Sequence, residues 1–195
     1  MEEVHAEALP ALGPVVELAL ARQHGCARMA DGSARCWGTN GSGEVGDGTR
    51  ERRAVAVGVA NTKNLEQIVV GPEVGCARTK EGRVLCWGRS DRGQTAGGPE
   101  DQLVPLEVPA VNGVTHIATD QSRTCAVAGE GRVACWGPGI SQPGRGVVWR
   151  EGMEGSGSIT ASGRGVVCSA LVEGGAACFG DDEFGQLGIG RSLQR

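Results

Sequence analysis

The apolar positions of this chain fall in short runs rather than in long amphipathic stretches. Runs such as Val15–Leu20, Ile68–Val70 and Val147–Trp149 are rich in Val and other aliphatic residues, and Gly-containing segments separate them. No long window repeats apolar residues at the helical period, whereas short β-branched runs bounded by turn residues are typical of strands. The pattern predicts an all-β chain with many turns.

Cysteines mark a repeat within this pattern, because they form four pairs whose members are ten residues apart. The pairs are Cys26 and Cys36, Cys76 and Cys86, Cys125 and Cys135, and Cys168 and Cys178. In every pair a Gly lies six residues after the first Cys, and an aromatic residue and a Gly follow the second. First cysteines of successive pairs are 50, 49 and 43 residues apart, a period typical of propeller blades or solenoid turns.

The Gly inside each pair predicts a β-hairpin and its register. A three-residue loop ending in a left-handed Gly, Ala30–Gly32 in the first repeat, places Cys26 opposite Cys36, and the same count holds in every repeat. Facing residues at a non-hydrogen-bonded pair have Cα atoms about 4.5 Å apart, which a disulfide accepts. We therefore expect four disulfides. Buried free thiols are the alternative, and a structural zinc site would need cysteines about two to four residues apart.

Composition changes this picture in two respects. Aromatic residues make up 3% of the chain, so the core is thin and the bridges matter for stability. The net charge of −4 comes without a block of Lys and Arg, which argues against nucleic acid as a partner.

Paired cysteines favour an oxidising compartment, and we expect an extracytoplasmic location: secreted, periplasmic or on the cell surface. Met1–Pro10 lacks the basic and apolar regions of a signal peptide, and no apolar run of about 18 residues predicts a membrane span. The chain is then either a piece of a longer secreted protein, which we favour, or a cytosolic protein with reduced cysteines.

Motifs around the cysteines resemble the regulator of chromosome condensation repeat. The first repeat has His24–Ala27 before the turn and Trp37–Gly46 after it, and the fourth ends in Gly185–Gly188 with the sequence Gly-Gln-Leu-Gly. The second repeat has Thr95 and Ala96 in place of Leu-Gly, and the third is the most divergent. Pairing of the cysteines resembles a bacterial branch of the family. The resemblance implies a β-propeller of four-stranded antiparallel blades.

Each blade is expected to run from an inner to an outer strand. Segments such as Leu65–Val70 and Val114–Ala118 are the predicted innermost strands, and the cysteine hairpin supplies the two middle strands. The outer strand is predicted at Ala54–Val57 in the first repeat and at Leu106–Val108 in the second.

About four blades are expected, which would form a partial or open ring because the family builds seven. We predict one repeat domain over 1–195 with blades at about 15–64, 65–113, 114–157 and 158–195, and with 1–14 as a closing strand of the last blade. A fragment of a longer chain, an oligomer that completes the ring and a compact four-bladed variant are the three outcomes, in that order of preference.

Candidate chemistry is sparse in the loops. No His has a Ser or Cys partner at a motif spacing, no phosphate-binding loop is recognisable, and Asp181–Glu183 lacks the spaced ligands of a calcium loop. We therefore expect no enzyme activity, catalytic residue, metal or cofactor.

The function predicted from these features is a non-catalytic protein-binding scaffold. The aromatic residues after the second cysteines are expected to pack between blades: Trp37, Trp87, Trp136 and Phe179. The remaining aromatic residues and nearby arginines are the candidates for partner contacts: Trp149, Phe184, Arg89, Arg92, Arg145 and Arg150. The resemblance implies two alternatives, guanine-nucleotide exchange on a small GTPase and inhibition of an enzyme such as β-lactamase.

Overall fold

The described residues form β-strands and no helix. The computed structural model describes residue 9 and residues 12–120, 123–140, 146–163 and 165–190. Its strands are β1 (Val15–Leu20), β2 (His24–Met29), β3 (Ala34–Gly38), β4 (Arg53–Gly58), β5 (Leu65–Val70), β6 (Val74–Thr79), β7 (Val84–Gly88), β8 (Gln102–Glu107), β9 (His116–Thr119), β10 (Thr124–Ala128), β11 (Arg132–Trp136), β12 (Val148–Arg150), β13 (Ser156–Ser162), β14 (Val166–Leu171) and β15 (Ala176–Phe179). Within those residues no helix is long and apolar enough to cross a membrane.

These strands pair into four antiparallel sheets, each following the order of the chain. The first three sheets have four strands, β1 to β4, β5 to β8 and β9 to β12, and the fourth has the three described strands β13 to β15. We refer to the sheets as blades 1 to 4. The predicted all-β, blade-like architecture is confirmed.

Each blade has a cysteine hairpin at its centre. Cys26 faces Cys36, and the other three pairs face each other in the same way. All four pairs are disulfide-bonded, with Cα atoms 4.1 to 4.2 Å apart. The turn Gly has a positive φ in every blade, for example 80° at Gly32, a backbone conformation that a residue with a side chain rarely adopts. The predicted register and disulfides are therefore present.

The hydrophobic core lies between neighbouring blades rather than within any one of them. Between blades 1 and 2, the Cys26–Cys36 disulfide packs with Val45, Ile68 and Trp87. Equivalent clusters join blade 2 to blade 3 and blade 3 to blade 4. A blade therefore depends on its neighbours for burial of its two faces, as expected for a repeat array.

The first strand of each blade faces a shared cavity of about 320 Å³. The residues that line it include one aliphatic residue at the same repeat position of each blade, namely Leu18, Ile68, Ile117 and Ile159. The strands β1, β5, β9 and β13 are thus the inner strands of the array, which agrees with the prediction for β5 and β9.

Some predicted boundaries shift. Strand β8 begins at Gln102 rather than near Leu106 and contains Pro105, which is tolerated because β8 is an edge strand. Strand β13 begins at Ser156, within the predicted third unit. The proposed closing strand within 1–14 falls largely outside the described residues.

Side chains on the inner strands connect successive blades. The Gln67 amide donates through Nε2 to the Ile117 carbonyl and accepts through Oε1 from the Ile117 N–H, both at 2.8 Å. One repeat earlier, the Glu17 carboxylate accepts from the Ile68 N–H at 3.1 Å and from Arg28 at 2.8 Å. Gln67 therefore satisfies the edge of β9 much as another strand would.

Replacing Gln67 with Ala is expected to lower the free energy of unfolding by about 1 to 3 kcal/mol, because the Ile117 backbone loses both partners in a partly buried position. Chemical denaturation followed by circular dichroism measures this change. Gln102→Ala is the control, because the Gln102 side chain makes only an exposed bond to the Glu100 carbonyl. Equal destabilisation by the two variants would contradict this role for Gln67.

Candidate protein-binding surface

The tryptophan that follows the second cysteine connects blades 2 and 3 to the blade before each of them. Trp87 and Trp136 are fully buried. The Trp87 indole Nε1–H donates to the Glu44 carbonyl of blade 1 at 2.8 Å. The Trp87 ring lies against Gly75 of its own blade, where a Cβ atom would come within 2.4 Å of the indole. Gly75 thus allows the ring to lie flat on the sheet.

The two ends of the array differ from its middle. Trp37 lies against Gly25 as Trp87 lies against Gly75, yet Trp37 remains partly exposed because no described blade precedes blade 1. Phe179 of blade 4 is also partly exposed, and the Arg150 guanidinium lies 4.7 Å from the centre of its ring.

His24 lies buried where blade 1 meets blade 2. Within the described part of the chain, its two ring nitrogens are buried and make no well-formed hydrogen bond. Burial lowers the pKa of His24 to about 4, and the Pro72 backbone of blade 2 opposes this change only partly. His24 is therefore neutral in the folded chain at neutral pH.

Trp149 lies on the outer edge strand of blade 3, not in a loop. Its side chain is 36% exposed, and the Arg132 guanidinium lies 4.2 Å from the centre of its ring. Blade 2 has Glu107 at the same register position, where it pairs with Arg83 at 3.4 Å. Blade 3 thus replaces an exposed ion pair with a cation–π pair, a change that adds exposed aromatic area at the rim.

Next to Trp149 is a groove between blades 3 and 4. Trp149, Arg150, Glu151 and Phe179 line a cavity of about 370 Å³. Burial and the nearby Arg123 guanidinium both lower the pKa of Arg150. The structure therefore brings together two of the predicted contact residues, Trp149 and Arg150. It adds Arg132, a residue of the cysteine hairpin that was not among the contact residues predicted from the sequence.

The other candidates lie apart from this groove. Arg89 pairs with Glu73 at 2.7 Å and Asp91 at 2.8 Å, which raises its pKa and occupies its guanidinium. Arg92 is exposed on the same blade 2 loop, and Phe184 is exposed on the loop after β15. Arg145 lies outside the described residues. Arg89, Arg92 and Phe184 are not among the residues that line the groove beside Trp149.

Sequence reasoning missed an apolar surface on β1. Val16, Leu18 and Leu20 are all more than half exposed, although Ile68 and Ile117, which occupy the position of Leu18 in blades 2 and 3, are buried. We call these three residues the β1 face. Their apolar character was visible in the sequence, but their exposure depends on the absence of a covering blade.

The acidic run Asp181–Glu183 has a role within its own loop. The Asp182 carboxylate accepts from the Leu187 N–H at 2.9 Å, and the Asp181 carboxylate accepts from the Glu183 N–H at 3.0 Å. Asn40 accepts from the Val45 N–H in the same way in blade 1. These carboxylates therefore hold the conformation of the loop.

Comparison with known families finds the Regulator of chromosome condensation (RCC1) repeat at residues 15–44 and 66–94, in blades 1 and 2. No curated protein matches the sequence at a significant level.

Several solved structures share the fold. Human WBSCR16 aligns with a TM-score of 0.75 and 18% identity over 85% of this chain and 47% of its own. Prp20p of Saccharomyces cerevisiae, a protein that binds Gsp1p and histones, aligns with a TM-score of 0.75 and 15% identity over 94% of this chain and 50% of its own. The ectodomain of the Physcomitrella patens receptor kinase CR4 aligns with a TM-score of 0.55 and 20% identity over 88% of this chain and 43% of its own. The chain therefore spans about half the length of these proteins.

The buried neutral His24 predicts a loss of stability in mild acid. As the pH falls from about 6.5 towards 4, the unfolded chain takes up a proton at His24 while the folded chain does not. The contribution of His24 to the free energy of unfolding is therefore complete above pH 6.5 and is lost as the pH falls to about 4. Denaturation midpoints measured across this interval should fall more steeply for the native chain than for His24→Gln, and parallel curves would contradict the assignment.

Proposed function

The chain carries repeats of the regulator of chromosome condensation family, and we propose that it uses them as a non-catalytic scaffold that binds a protein partner outside the cytosol. The observation that carries this proposal is the exposed Trp149 with Arg132 across its face, at the mouth of a groove. Tryptophan and arginine are the residues that most often dominate the energy of protein interfaces.

The lining of the groove and the edge strand beside it favour a folded or extended protein segment as the ligand. Trp149, Arg150, Glu151 and Phe179 line the groove, and Trp149 lies on the edge strand β12. An edge strand also offers unpaired backbone groups to a partner. The disulfide hairpin behind β12 limits the motion of Trp149, so little conformational entropy is lost on binding.

The location outside the cytosol is proposed from the disulfides. Four disulfides in one small chain favour an oxidising environment, where they persist. Protein binding is also what the similar Prp20p does with Gsp1p and histones, which supports the class of function without naming a partner for this chain.

A photocrosslinker placed at position 149 tests the proposal. In the native host, the variant that carries a benzophenone amino acid in place of Trp149 should form an adduct with one or a few proteins, identified by mass spectrometry. The matched control carries the same group in place of Glu107, which occupies the equivalent rim position of blade 2. Trp149→Ala should then weaken binding of the purified partner by at least about tenfold, the scale of an interface anchor.

The identity of the adduct separates the candidate functions. A small GTPase would favour nucleotide exchange, and a secreted enzyme would favour an inhibitor. Adducts that are the same at positions 149 and 107, or binding that Trp149→Ala leaves unchanged, would contradict Trp149 as the anchor.

A further inference from the structure

Leu18, at the centre of the β1 face, is exposed although the equivalent position of blade 2 is covered. Leu18 and Ile68 occupy the same place in their blades, since Leu18 pairs with Ala27 and Ile68 pairs with Ala77. Ile68 is 2% exposed, whereas Leu18 is 57% exposed. The same repeat position is thus buried in blade 2 and exposed to solvent in blade 1. The difference arises because blade 1 lies in front of blade 2.

Blade 1 shows what covers such a face. Its loop before β4 places Val45 in the cluster that buries Ile68 and Trp87, and the Glu44 carbonyl accepts the Trp87 N–H. A Cβ atom at Gly46 would lie 2.9 Å from the Trp87 ring, so the loop backbone is in direct contact with the indole. The cover is therefore a Glu44–Gly46 loop of defined conformation.

Blade 4 carries the same loop already formed, and no described blade lies in front of it. The Leu187 N–H is held by the Asp182 carboxylate as the Val45 N–H is held by Asn40. The Gly188 N–H donates to the Gly185 carbonyl at 3.0 Å, as the Gly46 N–H donates to the Gly43 carbonyl at 3.0 Å.

The loop's third internal bond is also repeated. The Phe184 N–H donates to the Gln186 side chain, as the Ser42 N–H donates to Glu44. Val45 is fully buried and Leu187 is partly exposed. Blade 4 thus presents a covering loop that has no blade to cover.

We propose that the β1 face and Trp37 of one chain dock against the Gln186–Gly188 loop of a second copy, head to tail. The contact reproduces the one between blades 1 and 2, with the Trp37 N–H directed at the Gln186 carbonyl and Leu187 in the place of Val45. The two surfaces differ from each other, so the interface is heterologous. Two copies that form this contact at both of their ends close a ring that contains the four sheets of each copy.

Sedimentation of the 195-residue chain tests this assembly. The native chain should change from monomer to dimer as its concentration rises. Leu18→Asp and Leu187→Asp should each raise the dimer dissociation constant by at least about tenfold, because each buries a charge in an apolar contact. Both positions are exposed or partly exposed within one chain, so both variants should keep the circular dichroism spectrum of the native protein.

Mixing the two variants distinguishes a head-to-tail contact from other dimers. The Leu18→Asp chain keeps an intact blade 4 loop, and the Leu187→Asp chain keeps an intact β1 face, so an equimolar mixture should recover a dimer that neither forms alone. Val55→Asp is the control, because Val55 is exposed on the outer strand β4 and should leave association unchanged. A native chain that stays monomeric at every concentration, association that neither variant weakens, or a mixture that fails to associate would each overturn the proposal.

Discussion

The contact between a tryptophan and the loop of the preceding blade is the interaction on which the rest of this structure depends. Trp87 lies flat on its own blade because Gly75 has no side chain, and it binds the Glu44 carbonyl of blade 1 through its indole N–H. A chain with 3% aromatic residues has few large side chains with which to build a core. It places Trp87 and Trp136 at the junctions between blades, where each one buries surface of two adjacent blades.

This contact gives the array two different ends. A blade has an aromatic residue after its second cysteine on one side and a loop on the other, so within the described residues the first blade has an uncovered face and the last has an uncovered loop. The exposed Leu18 and the preformed Gln186–Gly188 loop are consequences of the same repeat that buries Ile68 and Val45. The surfaces that we propose for partners therefore lie at the ends and at the rim, where Trp149 departs from the pattern set by Glu107.

Local features of the fold could be predicted from the sequence because they depend on neighbours in the chain. The Gly in each turn fixes which cysteines face each other, and the inner strand β5 was expected at its observed limits. Features set by distant residues could not be predicted. The exposure of Leu18 depends on a blade that is not in front of it, the Gln67 contact joins residues in separate blades, and the stacking of Arg132 on Trp149 depends on strand register. Arg89 was a reasonable candidate for binding by its residue type, yet its partners Glu73 and Asp91 already occupy it.

The disulfide-bonded hairpins hold in place both the junctions between blades and the rim that carries Trp149. The redox state of the cysteines in native material is therefore the decisive quantity. Protein taken from its host without reductant can be treated with an alkylating reagent under denaturing conditions and weighed by mass spectrometry, with and without prior reduction. Four closed bridges predict no alkylated cysteine before reduction and eight after it. Alkylation of all eight cysteines without reduction would contradict both the stapled scaffold and its proposed place outside the cytosol.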